Sequence, residues 1–254
     1  MLQACSWNIH VGLDMPGILR TIAAYQPFRE LDLLLLQEAA EDGARDNAAA
    51  IAEALGPEFD FQQRSVDRFY GHRRGLAAIW RRSVVTIEHG ELLPLPRVHE
   101  STLPRWRRYP LRAAGLRARA ALRLEGHCEL GRLRCYNIHL SPMGFAFQME
   151  QMAVVLRDAH HREAVDTLLL AGDFNSLRMD QRRWRRWFDG MAAQGFVEAA
   201  RDVAWTYWSR SLPLRQKLDH ALLKSESPLL CAAECPTLAG SDHYPLFFSV
   251  GATL

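Results

Sequence analysis

At 254 residues, 48% of them apolar, the chain is long enough for one large domain or two small ones and can build a sizeable core, which excludes a disordered protein. Its 31 basic residues, of which only Lys217 and Lys224 are lysines, nearly balance 29 acids, so the global basic field of a non-specific nucleic-acid binder is absent, although local patches stay open. Cys5, Cys128, Cys135, Cys231 and Cys235 show no zinc-type spacing, the start carries no signal-peptide pattern, and no stretch reaches transmembrane length; the expectation is a reduced, soluble, cytoplasmic protein.

Residues 2–7 read as a first strand ending at Asn8, and Ile9-His10-Val11-Gly12 turns away from it. Residues 14–25 carry Ile18, Leu19, Ile22 and Ala23 at helical spacing behind Asp14 and Pro16, a reasonable helix start. Residues 31–36 form a second apolar run followed at once by Gln37-Glu38, so an acid stands at a second strand end. A helix over 44–55 closes at Gly56-Pro57; 59–63 and 75–80 read as strands around an Arg-rich loop, and 84–92 as a further strand. Residues 94–110, with four prolines and Arg105-Trp106-Arg107-Arg108-Tyr109, read as an edge insertion or flap.

Residues 111–124 and 131–140 predict two antiparallel strands joined through Glu125-Gly126, the second ending in Asn137-Ile138-His139-Leu140. An amphipathic helix over 149–164 precedes residues 168–176, Leu-Leu-Leu-Ala-Gly-Asp-Phe-Asn-Ser, a buried-strand run whose tip presents Asp173 and Asn175 once Gly172 releases the backbone. A helix over 182–196 follows; Arg182 to Trp187 has one reading as a basic, aromatic surface for nucleic acid or anionic lipid, but the helical spacing of Trp184, Trp187 and Phe188 favours a packed face with the arginines turned outward. Residues 205–209 and 217–223 read as a strand pair carrying Asp219-His220, and 246–250 as the last strand, preceded by Ser241-Asp242-His243-Tyr244-Pro245. No linker or repeat divides the chain, which reads as one domain, 1–254, in two similar halves that each mix strands and helices.

Singly, each polar strand-end residue has a bland reading: Asn8 as a turn residue, Glu38 as a helix cap, Asp219 as a surface charge. Jointly the bland account gives no reason for acids, amides and histidines to recur at the ends of apolar runs. Glu38, Asp242, Asn8 and Asp173 make a hard, all-oxygen donor set of the kind Mg²⁺ or Mn²⁺ accepts, and zinc would want more nitrogen or sulfur. Such a metal with histidines nearby suits phosphoryl chemistry. The other histidines, His220 among them, read as structural or exposed; His220 alternates with Asp219 and points to the other strand face.

The ordered blocks Trp7-Asn8, Leu36-Gln37-Glu38, Asn137-Ile138-His139-Leu140, Gly172-Asp173-Phe174-Asn175, Leu218-Asp219-His220 and Ser241-Asp242-His243-Tyr244-Pro245-Leu246 resemble the endonuclease/exonuclease/phosphatase superfamily over essentially the whole chain. The resemblance implies an α/β four-layer sandwich: two mixed, mostly antiparallel β-sheets packed face to face with helices on both outer sides. It further implies a divalent-metal-dependent phosphodiesterase with Mg²⁺ or Mn²⁺ as cofactor. Asn8 and Glu38 would hold the metal and Asp242 would face it; Asp173 would activate water and Asn175 contact the scissile phosphate. His243 would pair with Asp219, either as base or as phosphate-binding imidazolium, and His139 is the second family histidine, where AP endonucleases usually carry tyrosine.

Lys217-Leu218-Asp219 replaces the usual Arg-Ile-Asp, and the acid that buttresses the second histidine in DNase I-like members has Asp67 as its only weak candidate. Asn137, on the face of His139, and Arg74 and Trp205 are candidate substrate contacts. The favoured substrate is DNA or RNA. A phospholipid head group, docked through Met143-Gly144-Phe145-Ala146-Phe147, a small phosphate ester, or a non-catalytic binding module of the same fold are the alternatives; oligomeric state is left open.

Overall fold

The computed structural model describes residues 1–41, 46–69, 71–97, 118–142, 144–209 and 214–252. One six-stranded sheet has the order β13 (Leu229–Glu234), β14 (Leu246–Ala252), β1 (Leu2–Asn8), β2 (Leu33–Glu41), β4 (His72–Arg81) and β3 (Phe59–Phe69). The other has the order β5 (Thr86–Pro94), β6 (Ala120–Cys128), β7 (Gly131–His139), β8 (Thr167–Asp173), β12 (Asp219–Ser225) and β9 (Val197–Glu198). A two-stranded ribbon, β10 (Tyr207–Ser209) with β11 (Leu214–Gln216), stands apart from both. Both sheets are mixed: β1–β2 and β7–β8 pair parallel, while their other pairs are antiparallel.

Period-two alternation sorts the apolar runs into layers. In β2, Leu33 and Leu35 face the second sheet, whereas Leu34 and Leu36 face α1 (Met15–Ala24) and α2 (Asn47–Leu55) through Ile18, Ile22 and Ile51. In β8, Leu169 and Ala171 join the inter-sheet core, and Leu170 packs under α3 (Phe145–His161) and α4 (Gln181–Ala193) against Met152, Val155 and Trp184. The outcome is the four-layer α/β sandwich. All four leucines of Leu33–Leu36 are 0% exposed, and burial of each contributes roughly 1.5–3 kcal/mol. Among the described residues no helix is long and apolar enough to cross a membrane.

Local chemistry explains most boundaries. The Asp14 carboxylate accepts the Gly17 N–H at 3.0 Å and starts α1, and Asp46 accepts the Ala48 and Ala49 N–H groups, so α2 begins after it at Asn47. Glu125-Gly126 is not a turn: both lie inside β6, which continues to Cys128. Gly126 is there because β5 passes close, a Cβ standing 1.8 Å from the Thr86 carbonyl oxygen. Residues 229–234 were not expected as a strand; Leu-Leu-Cys-Ala-Ala-Glu offers no apolar–polar alternation, and its pairing partner β14 creates it.

The expected apolar docking loop is also corrected. Residues 145–147 are the first turn of α3, and Phe145 packs edge-on against Trp184 with centroids 5.5 Å apart. Met143 lies outside the described residues, as do residues 98–110 of the insertion expected over 94–110 and residues 111–117 of the strand expected over 111–124; Pro94 ends β5.

Candidate active site

Register delivers the polar tips to one edge of the sandwich. Within the second sheet, Asp173 pairs with His139 of β7 on one side and Asp219 of β12 on the other. Gly172, at φ 142°, allows this: a Cβ would stand 2.0 Å from the Ile138 carbonyl oxygen. Asp173 is 1% exposed; its Oδ1 accepts the Asn175 N–H at 2.9 Å and its Oδ2 accepts Nδ2 of Asn8 at 3.0 Å. That last bond joins the tips of the two sheets. Asn175 is held at φ 50°, in the left-handed region that costs a non-glycine residue energy, and its Nδ2 donates to the Leu140 carbonyl at 2.9 Å.

Asp219 and His243 form a buried dyad. Nδ1 of His243 lies 2.8 Å from Oδ2 of Asp219, which also accepts the Thr206 hydroxyl at 2.6 Å. The Thr206 oxygen in turn accepts the N–H groups of Leu218 and Asp219, each at 3.0 Å, so one buried hydroxyl fixes the carboxylate. The Trp7 indole donates to the His243 carbonyl at 3.0 Å, and the Tyr207 ring lies 4.9 Å from the imidazole. Nε2 of His243 points toward Asp173, 3.8 Å from its Oδ2. Burial alone would push His243 down, but the charges of Asp219 and Asp173 and the Asp219 hydrogen bond outweigh it and raise the imidazole to about 10. Burial and the Asp219 charge push the Asp173 carboxyl up to about 7 against the pull of His243. The dyad is therefore an imidazolium–carboxylate pair.

Glu38 is not at the end of its strand. β2 runs on to Glu41, and Glu38 occupies a bulge, at φ 56°, where the register to β4 slips between Gln37 and Ala39. Arg74 is 4% exposed and committed: its Nη1 donates to Glu38 at 2.7 Å, while its Nε and Nη2 grip Asp67 at 2.8 and 3.2 Å. The expectation of a substrate contact at Arg74 is thus corrected to a brace for Glu38.

His139 carries the departure from expectation with most chemical consequence. Its Nδ1 faces a cation, Nη1 of Arg119 at 3.2 Å, and Asp67 is spent on Arg74. Burial, Arg119, Arg74 and His243 together push His139 well below its ordinary value, so it is neutral. A guanidinium can only donate, which leaves Nδ1 as acceptor and puts the proton on Nε2. That N–H is directed between Asp173 Oδ2 at 3.6 Å and Glu38 Oε1 at 3.9 Å, too far from either for a direct bond. Sequence reasoning missed Arg119, 9% exposed and placed just before β6 with no motif to mark it.

The remaining candidates divide. Asp242 stands at the rim with Oδ1 3.5 Å from His10 Nδ1, and the Ser241 hydroxyl, bonded to the Asn8 carbonyl at 2.7 Å, links it to the β1 tip. His10, read from sequence as structural or exposed, belongs to this rim. Trp205 packs on Tyr244 and under the Arg215 guanidinium, 4.3 Å from its ring; the aromatic next to His243 is Tyr207. His220 points away from the site as alternation requires, bonded to Ser176 and Glu198 at 2.8 Å each.

Asn137 is corrected as a substrate contact. It is 0% exposed, its Nδ2 donates to the Leu36 and Ala77 carbonyls at 2.9 and 2.8 Å, and its Oδ1 accepts Gln37 Nε2 at 2.7 Å. It pins one sheet to the other. Asn137→Ala is expected to cost about 2–4 kcal/mol, because buried partners lose their bonds, with KM for substrate unchanged. Urea unfolding and steady-state kinetics on the variant test both halves; raised KM with wild-type stability would restore the substrate role.

The sequence matches the model of the Endonuclease/Exonuclease/phosphatase family over residues 5–243. The chain belongs to the endonuclease/exonuclease/phosphatase family. No curated protein is matched by the sequence. Solved structures sharing the fold include a family member from Bacteroides vulgatus (TM-score 0.70, 16% identity, 99% of each chain covered). D. rerio TDP2 complexed with single strand DNA product matches at TM-score 0.69 and 18% identity, with 99% of each chain covered. A mannosyl-6-phosphatase from Bacteroides thetaiotaomicron matches at TM-score 0.66 and 16% identity, covering 99% of this chain and 100% of that one. At these identities the likeness shows the DNase I-like fold; the family itself is one of phosphoric ester hydrolases, generally dependent on a divalent metal.

The residues of this family site fit a hard cation. Among the described residues, the ligand atoms of Asp173, Asp219 and His243 lie within 4.8 Å of one another. An imidazolium has no lone pair to give, however, so the donors that remain are oxygens. Asp219 Oδ1 is buried without a hydrogen-bond partner among the described residues, and Asn8, Glu38 and Asp242 bring further oxygen donors to the same edge.

Proposed function

We propose that this protein is a Mg²⁺- or Mn²⁺-dependent phosphodiesterase, with nucleic acid as its substrate class. The observation that carries the reading is the convergence of a buried, upward-shifted Asp173 and the Asp219–His243 pair at one strand edge. Asn8, Glu38 and Asp242 would hold the metal, which supplies Lewis-acid stabilisation of the phosphoryl oxygens. Asp173, oriented by Asn8 and the Asn175 N–H, would position the attacking water and take its proton. The His243 imidazolium and the His139 Nε2–H would donate to non-bridging oxygens as charge develops, and Asn175 would place its remaining amide proton near the phosphate.

A phospholipid head group has less support, since the loop expected to dock on lipid begins a packed helix. A non-catalytic module would not require Asp173, Asp219 and His243 to be kept together in this geometry. The likeness to a TDP2 complex holding a single-strand DNA product favours nucleic acid. Hydrolysis of bis-p-nitrophenyl phosphate is expected to need Mg²⁺ or Mn²⁺ and to stop with chelator, and plasmid DNA, RNA, phospholipid vesicles and sugar phosphates, tested side by side, assign the class. Turnover indifferent to chelator, or confined to phosphomonoesters, refutes this reading.

A further inference from the structure

A cleft of about 1030 Å³ opens on the outer face of the second sheet, walled by α4, by β9 with the turn after it, and by β11. That is the upper end of the roughly 300–1,000 Å³ usual for small-molecule pockets. Its floor is aromatic, Phe188 lying 4.6 Å from the His220 ring and Trp184 stacked on it at 6.3 Å. One strand separates it from the catalytic carboxylates: Asp219 faces the site and its neighbour His220 faces the cleft. The inner wall starts at Ser176, directly after Asn175, with the Ser176 hydroxyl bonded to the Lys217 carbonyl at 2.7 Å.

Arg178, Arg185, Arg201 and Arg215 line the walls and are exposed, and among the described residues none of the four has a carboxylate partner. Lys217, by contrast, is paired with Glu198 at 2.7 Å, and Arg183, outside the cleft, with Asp180. The Arg178 N–H donates to Gln216 at 3.1 Å, fixing the rim between active site and cleft. Asp189 and Asp202 are the acids left uncompensated, so the cations are in excess.

We infer that this cleft binds the sugar-phosphate backbone of a single-stranded nucleic acid that leaves the catalytic centre over Ser176 and Arg178. The inference rests on the proposed nucleic-acid reading and extends it to a binding site beyond the reacting phosphate. Guanidinia spread along both walls match a string of phosphates rather than one, and Arg binds phosphate bidentately. Arginines on both walls of a concavity fit an extended chain of phosphates, and binding to a bilayer instead is one of the outcomes of the test.

The test uses the full chain with Arg185→Glu and Arg201→Glu combined, neither residue being part of the catalytic machinery, and Arg185→Gln with Arg201→Gln as the milder pair. Binding of a short labelled single-stranded oligonucleotide is read by anisotropy with chelator present, alongside phosphatidylcholine–phosphatidylserine vesicles. The glutamate pair is expected to weaken oligonucleotide binding by about tenfold or more, and the glutamine pair to lower the slope of log K against log salt by about 1.4, for two phosphates no longer neutralised. Turnover of bis-p-nitrophenyl phosphate should stay within about twofold of wild type, since both arginines are remote from the reacting bond. Unchanged affinity and slope in both pairs, equal loss toward the small diester, or binding to vesicles but not oligonucleotide overturns the inference. A wild-type protein inactive on every diester defeats the proposed function alone, because the anisotropy measurement still reads the cleft.

Discussion

Asp173→Asn is expected to remove hydrolysis and at the same time stabilise the metal-free protein. Loss of a general base costs roughly 10²–10⁴-fold in kcat. The stability gain follows from the sign of the shift. Burial first, and the Asp219 charge next, raise the folded carboxyl to about 7 from 3.8, so the folded state holds this proton more tightly than the unfolded one. Its effect is therefore destabilising as pH rises from about 4 to about 7 and constant above that. A neutral carboxamide escapes that cost, while part of the gain is returned because His243 loses an attractive charge. A net gain of about 1–3 kcal/mol at pH 8 is expected from urea unfolding in chelator. Retained turnover, or a variant less stable than wild type at pH 8, contradicts the assignment.

His243→Gln and Asp219→Asn are each expected to cut kcat by roughly 10²–10⁴-fold, and the double variant by little more than the worse single one, because the pair acts as a unit. Additive losses would show that the two act separately. A pH signature separates this from a general folding defect. With its folded value near 10, above the ordinary 6.5, His243 contributes stability that is fully present below about pH 6.5 and is lost as pH rises through 10. Between about pH 7 and 9 the metal-free protein should lose about 1.4 kcal/mol per pH unit from this group, and Asp219→Asn should flatten that slope. An equal slope in the variant would place the histidine's stabilising charge elsewhere.

How far the site could be read from the chain differs residue by residue. Asp173 and Asp219 were visible as polar tips on apolar runs, because a strand buried on both faces must be apolar until it emerges. Glu38 looked like such a tip and is instead a left-handed bulge inside β2, created by its pairing with β4. Asn137 and His139 share a strand face, yet one residue pair of depth turns the first into a buried clamp between sheets and leaves the second at the edge. Arg119 had no signal at all, since its role exists only through contact with a histidine twenty positions away.

The sequence by itself determined the layers, the polar strand ends and the family, because burial periodicity and motif order are properties of local residue choice. Only the tertiary structure decided which carboxylate neutralises which cation. It made His243 an imidazolium beside Asp219, made His139 a neutral donor beside Arg119, and spent Arg74 on Glu38 and Asp67. Charge states in a buried site depend on distances between side chains brought together from remote parts of the chain, and on how much water the packing excludes.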